Sequence, residues 1–187
     1  MFIRGEGAEE LAIHLIAGIS GGLSLGARTP PGFDAREAAD AVFAAMGPLE
    51  RALVAGCVLD ADVSNGGHEQ LMFNPSGDLA EAALVAFEDA AMTEHAAAVE
   101  TFVALFGAAE RERLFPPPAQ AWDVWRTLEP SPQRFARQQA LTHPGAWWDG
   151  LDDLDRHWWS LERVEDRLGP ALEAAGAYER WAEHPGG

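Results

Sequence analysis

Residues 93–106 read TEHAAAVETFVALF, and in this stretch Val99, Phe102, Val103 and Phe106 stand at i, i+3, i+4 and i+7. That spacing aligns four apolar side chains along one stripe of a helix and does not fit the two-residue period of a strand. Thr93 occupies the expected N-cap position, and Glu94 behind it suits the positive end of the helix dipole. The same signs recur upstream. Asp78 with Glu81 opens a helix expected to bury Leu84, Phe87 and Ala91, and Asp34 with Glu37 opens another through Ala38, Val42, Phe43 and Met46. Between these two, Gly47-Pro48 stops one helix and starts the next, placing Leu49, Leu53, Cys57 and Val58 on one face. Val63-Ser64-Asn65-Gly66-Gly67-His68 is expected to be a turn, because Asn-Gly-Gly accepts left-handed backbone at little steric cost. Its flanks do not alternate as hairpin strands would. Leu71, Met72 and Phe73 continue as a short helix or turn, ended by Asn74-Pro75.

Downstream, Pro116-Pro117-Pro118 separates a central helical unit from a C-terminal one. Ser131-Pro132 reads as an N-cap with proline at the first helical position, and His143-Pro144-Gly145 is a further break. A last long helix is expected from Gly150 to Leu168, with Leu151, Leu154, Trp158, Leu161 and Val164 inward, stopped or kinked by Gly169-Pro170. No convincing strand pattern and no fixed-period repeat occurs. The expected fold is all-α, a compact multi-helix domain with a C-terminal helical extension. Its expected parts are an N-terminal helix and Gly/Pro-rich loop (1–32), a central acidic helical unit (33–115), and a C-terminal helical unit (119–187) packed with the centre as one domain.

The chain has 187 residues, 30 acids against 13 arginines, no lysine, and a net charge of -17. Phosphates would repel such a polyanion, which excludes direct nucleic-acid binding and an anionic membrane surface. Cys57 stands alone, so a disulfide scaffold or cysteine-ligated zinc is excluded, and its place in an apolar stripe marks it as a core residue. The apolar stretch Leu11–Leu25 is too short and interrupted to span a bilayer, and the acids before it do not suit a secretory leader. The expectation is a soluble, cytoplasmic protein.

The charge is localised. Residues 52–110 hold ten carboxylates and no arginine: Asp60, Asp62, Glu69, Asp78, Glu81, Glu88, Asp89, Glu94, Glu100 and Glu110. The segments 1–51, 111–148 and 149–187 carry -3, +2 and -6. In the last, Asp152 precedes Arg156 by four residues, and Glu162 and Asp166 neighbour Arg163 and Arg167, as on an ordinary solvated helix face. In 52–110 no cation is near in sequence. Carboxylates on adjacent helical turns lie about 5–6 Å apart, and duplex DNA presents one charge per about 1.7 Å of axis. Acidic helices side by side therefore approach the charge density of a duplex face.

Motifs for other chemistry are missing from the sequence. The six histidines form no i, i+4 pair. Metal-type ligands gather only at His68-Glu69 and in Asp152-Asp153-Leu154-Asp155-Arg156-His157, and neither set converges unaided. With no phosphate loop, dinucleotide fingerprint or nucleophile elbow, the expectation is no metal, no cofactor and no enzymatic activity. Trp147-Trp148 and Trp158-Trp159 are adjacent pairs, which leaves one member of each for the surface or a subunit contact.

Val63-Ser-Asn-Gly-Gly-His-Glu-Gln70, Phe73-Asn74, Ser76-Gly-Asp-Leu79 and Ala80-Glu-Ala-Ala-Leu84 together resemble the signature of a bacterial DNA-mimic protein family, the DMP type. Leu154-Asp155 with Trp158-Trp159, and Tyr178, resemble its later elements, so the likeness spans about residues 47–180. Two departures are His68, where the family usually has an aromatic such as Phe, and the acid before the turn, which stands here at Asp62. The resemblance implies an all-α, often dimeric protein that binds a DNA-binding transcription regulator through an acidic surface. Asn65, Gly66, Gly67, Gln70, Asn74 and Gly77 are expected to fix backbone geometry. Asp60, Asp62, Glu69, Asp78, Glu81, Glu88, Asp89, Glu94 and Glu100 are the candidate partner-binding acids, facing the basic surface of a transcription regulator or nucleoid protein. Two rival readings are an immunity-type or adaptor protein that binds a toxin or enzyme through exposed Trp, and an enzyme of unrecognised type.

Overall fold

The computed structural model describes residues 7–19, 35–127, 130–143 and 145–182. The Gly/Pro-rich stretch before residue 33, the Asp34 cap and Pro144 lie outside them. The protein is all-α: among the described residues, eleven α-helices and two short 3-10 turns make up the regular structure, with no strand. Contacts divide the chain into two compact units, one formed by Met1–Val54 with Arg163–Gly187, the other by Ala55–Glu162. The triple proline lies inside the second.

The first unit contains α1 (Ala8–Ile19), α2 (Ala35–Ala45), the opening turns of α3 (Pro48–Phe73), α10 (Val164–Ala174) and α11 (Ala177–Ala182). Helix α1 buries Leu11, Leu15 and Ile19 and packs on α2 and α10; Val42, Met46, Leu53, Leu168, Leu172 and Trp181 complete the core. Glu50 is buried, yet satisfied. Its carboxylate accepts from the Gly47 N–H at 3.1 Å, the Trp181 indole at 3.4 Å and Arg180, tying α3's first turn to α11. Gly169-Pro170 does not end α10, which runs on to Ala174 with Leu168 and Leu172 buried on either side of the proline.

The second unit holds the rest of α3, a 3-10 turn (Pro75–Leu79), α4 (Ala80–Asp89), α5 (Thr93–Ala104), α6 (Gly107–Leu114), α7 (Pro118–Thr127), α8 (Pro132–Thr142), a second 3-10 turn (Trp148–Gly150) and α9 (Leu151–Ser160). Helices α4 and α5 form the most extensive pair, α7 lies on α4, and α9 lies on α5. Val99, Phe102 and Val103 of α5 are buried, and so is Phe106, which lies beyond the end of that helix at Ala104 as the N-cap of α6. Phe102 and Phe106 close on Phe115 with ring centroids 5.6 Å apart in both cases. Ser131 caps α8 as expected, accepting from the Arg134 N–H at 2.9 Å.

Several local expectations are corrected. Thr93 is the first residue of α5, whose N-cap is Met92 without a side-chain hydrogen bond. Ala91 is exposed rather than buried and has φ 57, because it turns the chain from α4 into α5. Leu49, Cys57, Val58 and Leu84 are half-buried, while Ala52, Leu53, Val54, Ala55 and Leu59 form the innermost face of α3. The expected helix from Gly150 to Leu168 is two helices. Ser160 Oγ donates to the His157 carbonyl at 2.6 Å, Leu161 turns to extended backbone (φ -74, ψ 153), and α10 restarts at Val164. A serine hydroxyl that takes a helical carbonyl weakens the ladder at that point, and His95 holds the freed segment through its Nε2, 3.0 Å from the Glu162 carbonyl. Arg156 pairs with Asp153, one residue nearer than expected, and Arg163 pairs with Glu165. Of the tryptophans, Trp158 is buried and Trp159 is 57% exposed; Trp147 is half-buried against Phe106 and Trp148 exposed. Among the described residues no single helix is long and apolar enough to cross a membrane, although the bent pair Arg36–Ala45 and Pro48–Phe73 is so by length and composition.

Candidate functional site

The Asn-Gly-Gly segment is a two-residue break inside a helix, not a turn of six. Val63, Ser64 and Asn65 remain helical, Gly66 is extended (φ -167), Gly67 is left-handed (φ 69), and the helix resumes to Phe73. Gly67 is required twice over: its φ disfavours any side chain, and a Cβ there would sit 2.2 Å from Asp155 Oδ2. At Gly66 a Cβ would lie 2.4 Å from Gln70 Oε1, so a side chain there would displace the Gln70 amide. The Asn65 amide only bonds back to the Ala61 carbonyl within its own helix.

Asp62 collects the remaining motif side chains. It accepts from Asn74 Nδ2 at 2.7 Å, from the Ser76 hydroxyl and from Gln70, so the helical segments before and after the break and the following 3-10 turn share one acceptor. Burial pushes the Asp62 carboxyl above its ordinary value, and the amide hydrogen bonds oppose that shift. Beyond the break, Asp155 Oδ1 receives the His68 backbone N–H at 2.8 Å and faces His68 Nδ1 at 2.6 Å. Asp60 accepts the Trp158 indole N–H at 2.9 Å. The two sequence signatures, Asn-Gly-Gly-His and Leu-Asp with Trp-Trp, therefore meet in space through α3 and α9.

Asp78 is fully buried inside the 3-10 turn rather than opening a helix on the surface. It accepts from Arg137 at 2.9 Å, Ser131 Oγ at 2.9 Å and Arg134 at 3.4 Å. Arg137 is itself fully buried and donates also to the carbonyls of Met72, Asn74 and Leu114, so one guanidinium gathers α3, α6 and the 3-10 turn onto α8. Burial lowers the Arg137 pKa, and Asp78 works against that loss. Gly77 has room for no side chain here: a Cβ would meet the Leu71 carbonyl at 2.3 Å and Arg137 Nε at 2.8 Å.

Glu81 is buried and bound by Arg111, which also reaches Glu100 at 3.1 Å. The pairing with Glu81 raises the Arg111 pKa. Five of the nine candidate acids thus do interior or bridging work: Asp62 and Asp60 as hydrogen-bond acceptors, Asp78, Glu81 and Glu100 as arginine partners. Glu69, Glu88, Asp89 and Glu94 are exposed, with no cation beside them among the described residues. Three of these four bracket one corner. Glu88 and Asp89 end α4, Glu94 begins α5, and the turn between closes with Met92 N–H to the Phe87 carbonyl (2.8 Å) and Ala91 N–H to the Glu88 carbonyl (3.0 Å). Acids at a helix C-terminus oppose the dipole, so Glu88 and Asp89 are not explained by helix stability.

Sequence reasoning finds the acids and misses their partners. Arg111, Arg134 and Arg137 are network residues that no motif singles out, and the signal for them is the positive segment 111–148 that follows the acidic one. Asp155 stands in the Leu-Asp element, but its contact with His68 is not legible there. Among the described residues no group of three or more His, Cys, Asp or Glu is placed to hold a metal ion.

No curated protein and no solved structure matches the chain. One family model, described as DMP19-like protein, matches residues 44–181, a span that takes in the glycine break, the Asp78 network and the Trp158 segment. By that match over most of its length, and in agreement with the motif, the chain belongs to the DMP19-like protein family.

Proposed function

We propose that the protein is a DNA-mimic-type binding module that occupies the basic, DNA-binding surface of another protein, a transcription regulator or nucleoid protein. The supporting observation is the way charge is sorted in the second unit. Each of its six arginines, Arg111, Arg113, Arg126, Arg134, Arg137 and Arg156, is paired with a carboxylate of the same unit. Exposed Glu69, Glu88, Asp89, Glu94, Glu112, Asp149 and Asp152 are left without a cation among the described residues. A surface whose cations are all internally engaged attracts a positively charged groove and repels nucleic acid. The α4–α5 corner is the face on which this reading rests, and the module itself performs no chemistry.

Capture from native lysate on the immobilised full chain tests it. The expected result is retention of a basic DNA-binding protein that raised salt or competing duplex DNA releases. The combined Glu88→Lys, Asp89→Lys and Glu94→Lys variant should lose that retention while keeping its helical circular dichroism. Binding that ignores both salt and duplex DNA would overturn the proposal in favour of an adaptor-type contact.

A further inference from the structure

We propose that the open face of Trp159, with the carboxylates of Asp152 and Asp155 beside it, is a receptor for an arginine side chain of a basic partner. This receptor presupposes the binding-module reading and lies on α9, outside the acids of the α4–α5 corner. Its geometry begins with Trp158. That indole is buried, donates to Asp60 Oδ1 at 2.9 Å, and stands edge-on to His68 and His95 at 6.1 and 6.0 Å. Successive helical residues point about 100° apart, so a locked Trp158 turns its neighbour outward. Trp159 is 57% exposed, and its ring makes no hydrogen bond or ring contact among the described residues. An indole displayed in this way is the side-chain ring that attracts a cation best.

Asp155 and Asp152 stand four and seven residues before Trp159, on the same stripe of α9. Asp155 spends Oδ1 on the His68 amide and ring, while its Oδ2 takes no hydrogen bond among the described residues. Gly67 leaves that second oxygen uncovered, since any Cβ there would lie 2.2 Å from it. Burial holds the His68 pKa below its ordinary value, so near neutral pH the ring is uncharged and Asp155 keeps its charge. Asp152 is exposed, and Arg156, the cation next to it on the helix, is turned to Asp153. Trp159 also lies in the last turn of α9, where the negative helix end favours positive charge. A guanidinium suits all of these features together. It stacks flat on an indole while its edge donates to carboxylates, whereas an ammonium is a point charge without a flat face. The same edge grips phosphate oxygens, so a partner's DNA-contacting arginine finds its substitute here.

NMR titration of the full chain with acetyl-Gly-Arg-Gly-amide, at pH 7.5 in about 0.15 M salt to screen diffuse attraction, tests this. The Trp159 indole signal, identified by its loss in Trp159→Leu, should shift saturably, and those of buried Trp158 and Trp181 should stay. The lysine peptide, of equal charge, should bind about two- to fivefold more weakly, and the neutral citrulline peptide should not bind. Trp159→Leu and Asp152→Asn, both at exposed positions, should each weaken the arginine peptide about two- to fivefold, read at the backbone amides of α9. The Glu88→Lys, Asp89→Lys, Glu94→Lys variant should bind it as the unmodified chain does. An unmoved Trp159 signal, equal binding of the arginine and lysine peptides, or undiminished binding by Trp159→Leu would overturn the receptor. The binding-module reading falls by a different result, partner capture that ignores salt and duplex DNA, so the two failures are told apart.

Discussion

Asp78 and Asp89 lie eleven residues apart in one acidic segment and have opposite situations. Asp78 is fully buried, with two arginines and a serine hydroxyl around it; Asp89 is exposed at the end of α4 with no cation beside it among the described residues. A buried carboxylate must be paired and hydrogen-bonded or it is not tolerated. An exposed one is tolerated anywhere, so its position is free to serve another purpose. The acidic segment therefore contains two populations, one that organises the interior and one that stands exposed without a cation beside it among the described residues.

The largest expected effect breaks the first population. Asp78→Ala leaves Arg137 buried without its counter-charge, and loss of one partner of a buried pair costs about 3–5 kcal/mol. Urea denaturation should show a loss of that order, with α8 the first element to lose amide protection. Next comes Gly67→Ala, which forces a side chain into left-handed backbone and against the Asp155 carboxylate. Strain of this kind costs about 1–3 kcal/mol, readable as a lower denaturation midpoint without change in slope.

These two effects show how much the sequence made legible. The helical period of Val99–Val103, the cap at Ser131-Pro132, the start at Pro48 and the special backbone of Asn-Gly-Gly are visible because each depends on neighbours within one or two turns. The Asp78 network is not, since Ser131, Arg134 and Arg137 lie 53 or more residues away in the chain. Counting charge in sequence windows places Asp78 and Asp89 in one class; only the folding of α8 over the 3-10 turn separates them. The long helix expected over 150–168 failed for a local reason that competes with periodicity, a serine side chain bonding a helical carbonyl. Glu81 shows the consequence for the proposed binding face: reversing it would break the Arg111 pair and test stability, not recognition.

A smaller effect follows from acid. Because the folded His68 pKa is depressed below 6.5, its contribution to stability is complete above that value and is lost as the pH falls from 6.5 toward the folded pKa. Each tenfold weakening of proton binding in the folded state corresponds to about 1.4 kcal/mol of stability that acid removes. Asp62 has the opposite sign, its folded pKa being raised above 3.8, so it favours folding more as the pH approaches 4. Denaturation midpoints measured from pH 7.5 to pH 4 should fall and then level off, and His68→Gln should remove the fall.

The smallest effects probe the outer population, and they sharpen the contrast by their sign. Glu88→Lys and Asp89→Lys replace acids with cations at the C-terminus of α4, where the helix dipole favours positive charge by about 0.3–1 kcal/mol. These reversals should leave stability level or raise it, while Asp78→Ala lowers it steeply. Ala91, at φ 57, stands at the left-handed position that closes the helix-ending turn after Asp89. Left-handed backbone costs a non-glycine residue about 1–2 kcal/mol, and glycine gives back about 0.4–1 kcal/mol through unfolded-state entropy. Ala91→Gly should therefore raise stability by about 0.5 kcal/mol in denaturant titration. A gain there would show that the α4–α5 corner is not optimised for stability at its turn any more than at its charges; a loss would mean that the alanine methyl makes a packing contact which outweighs the backbone strain.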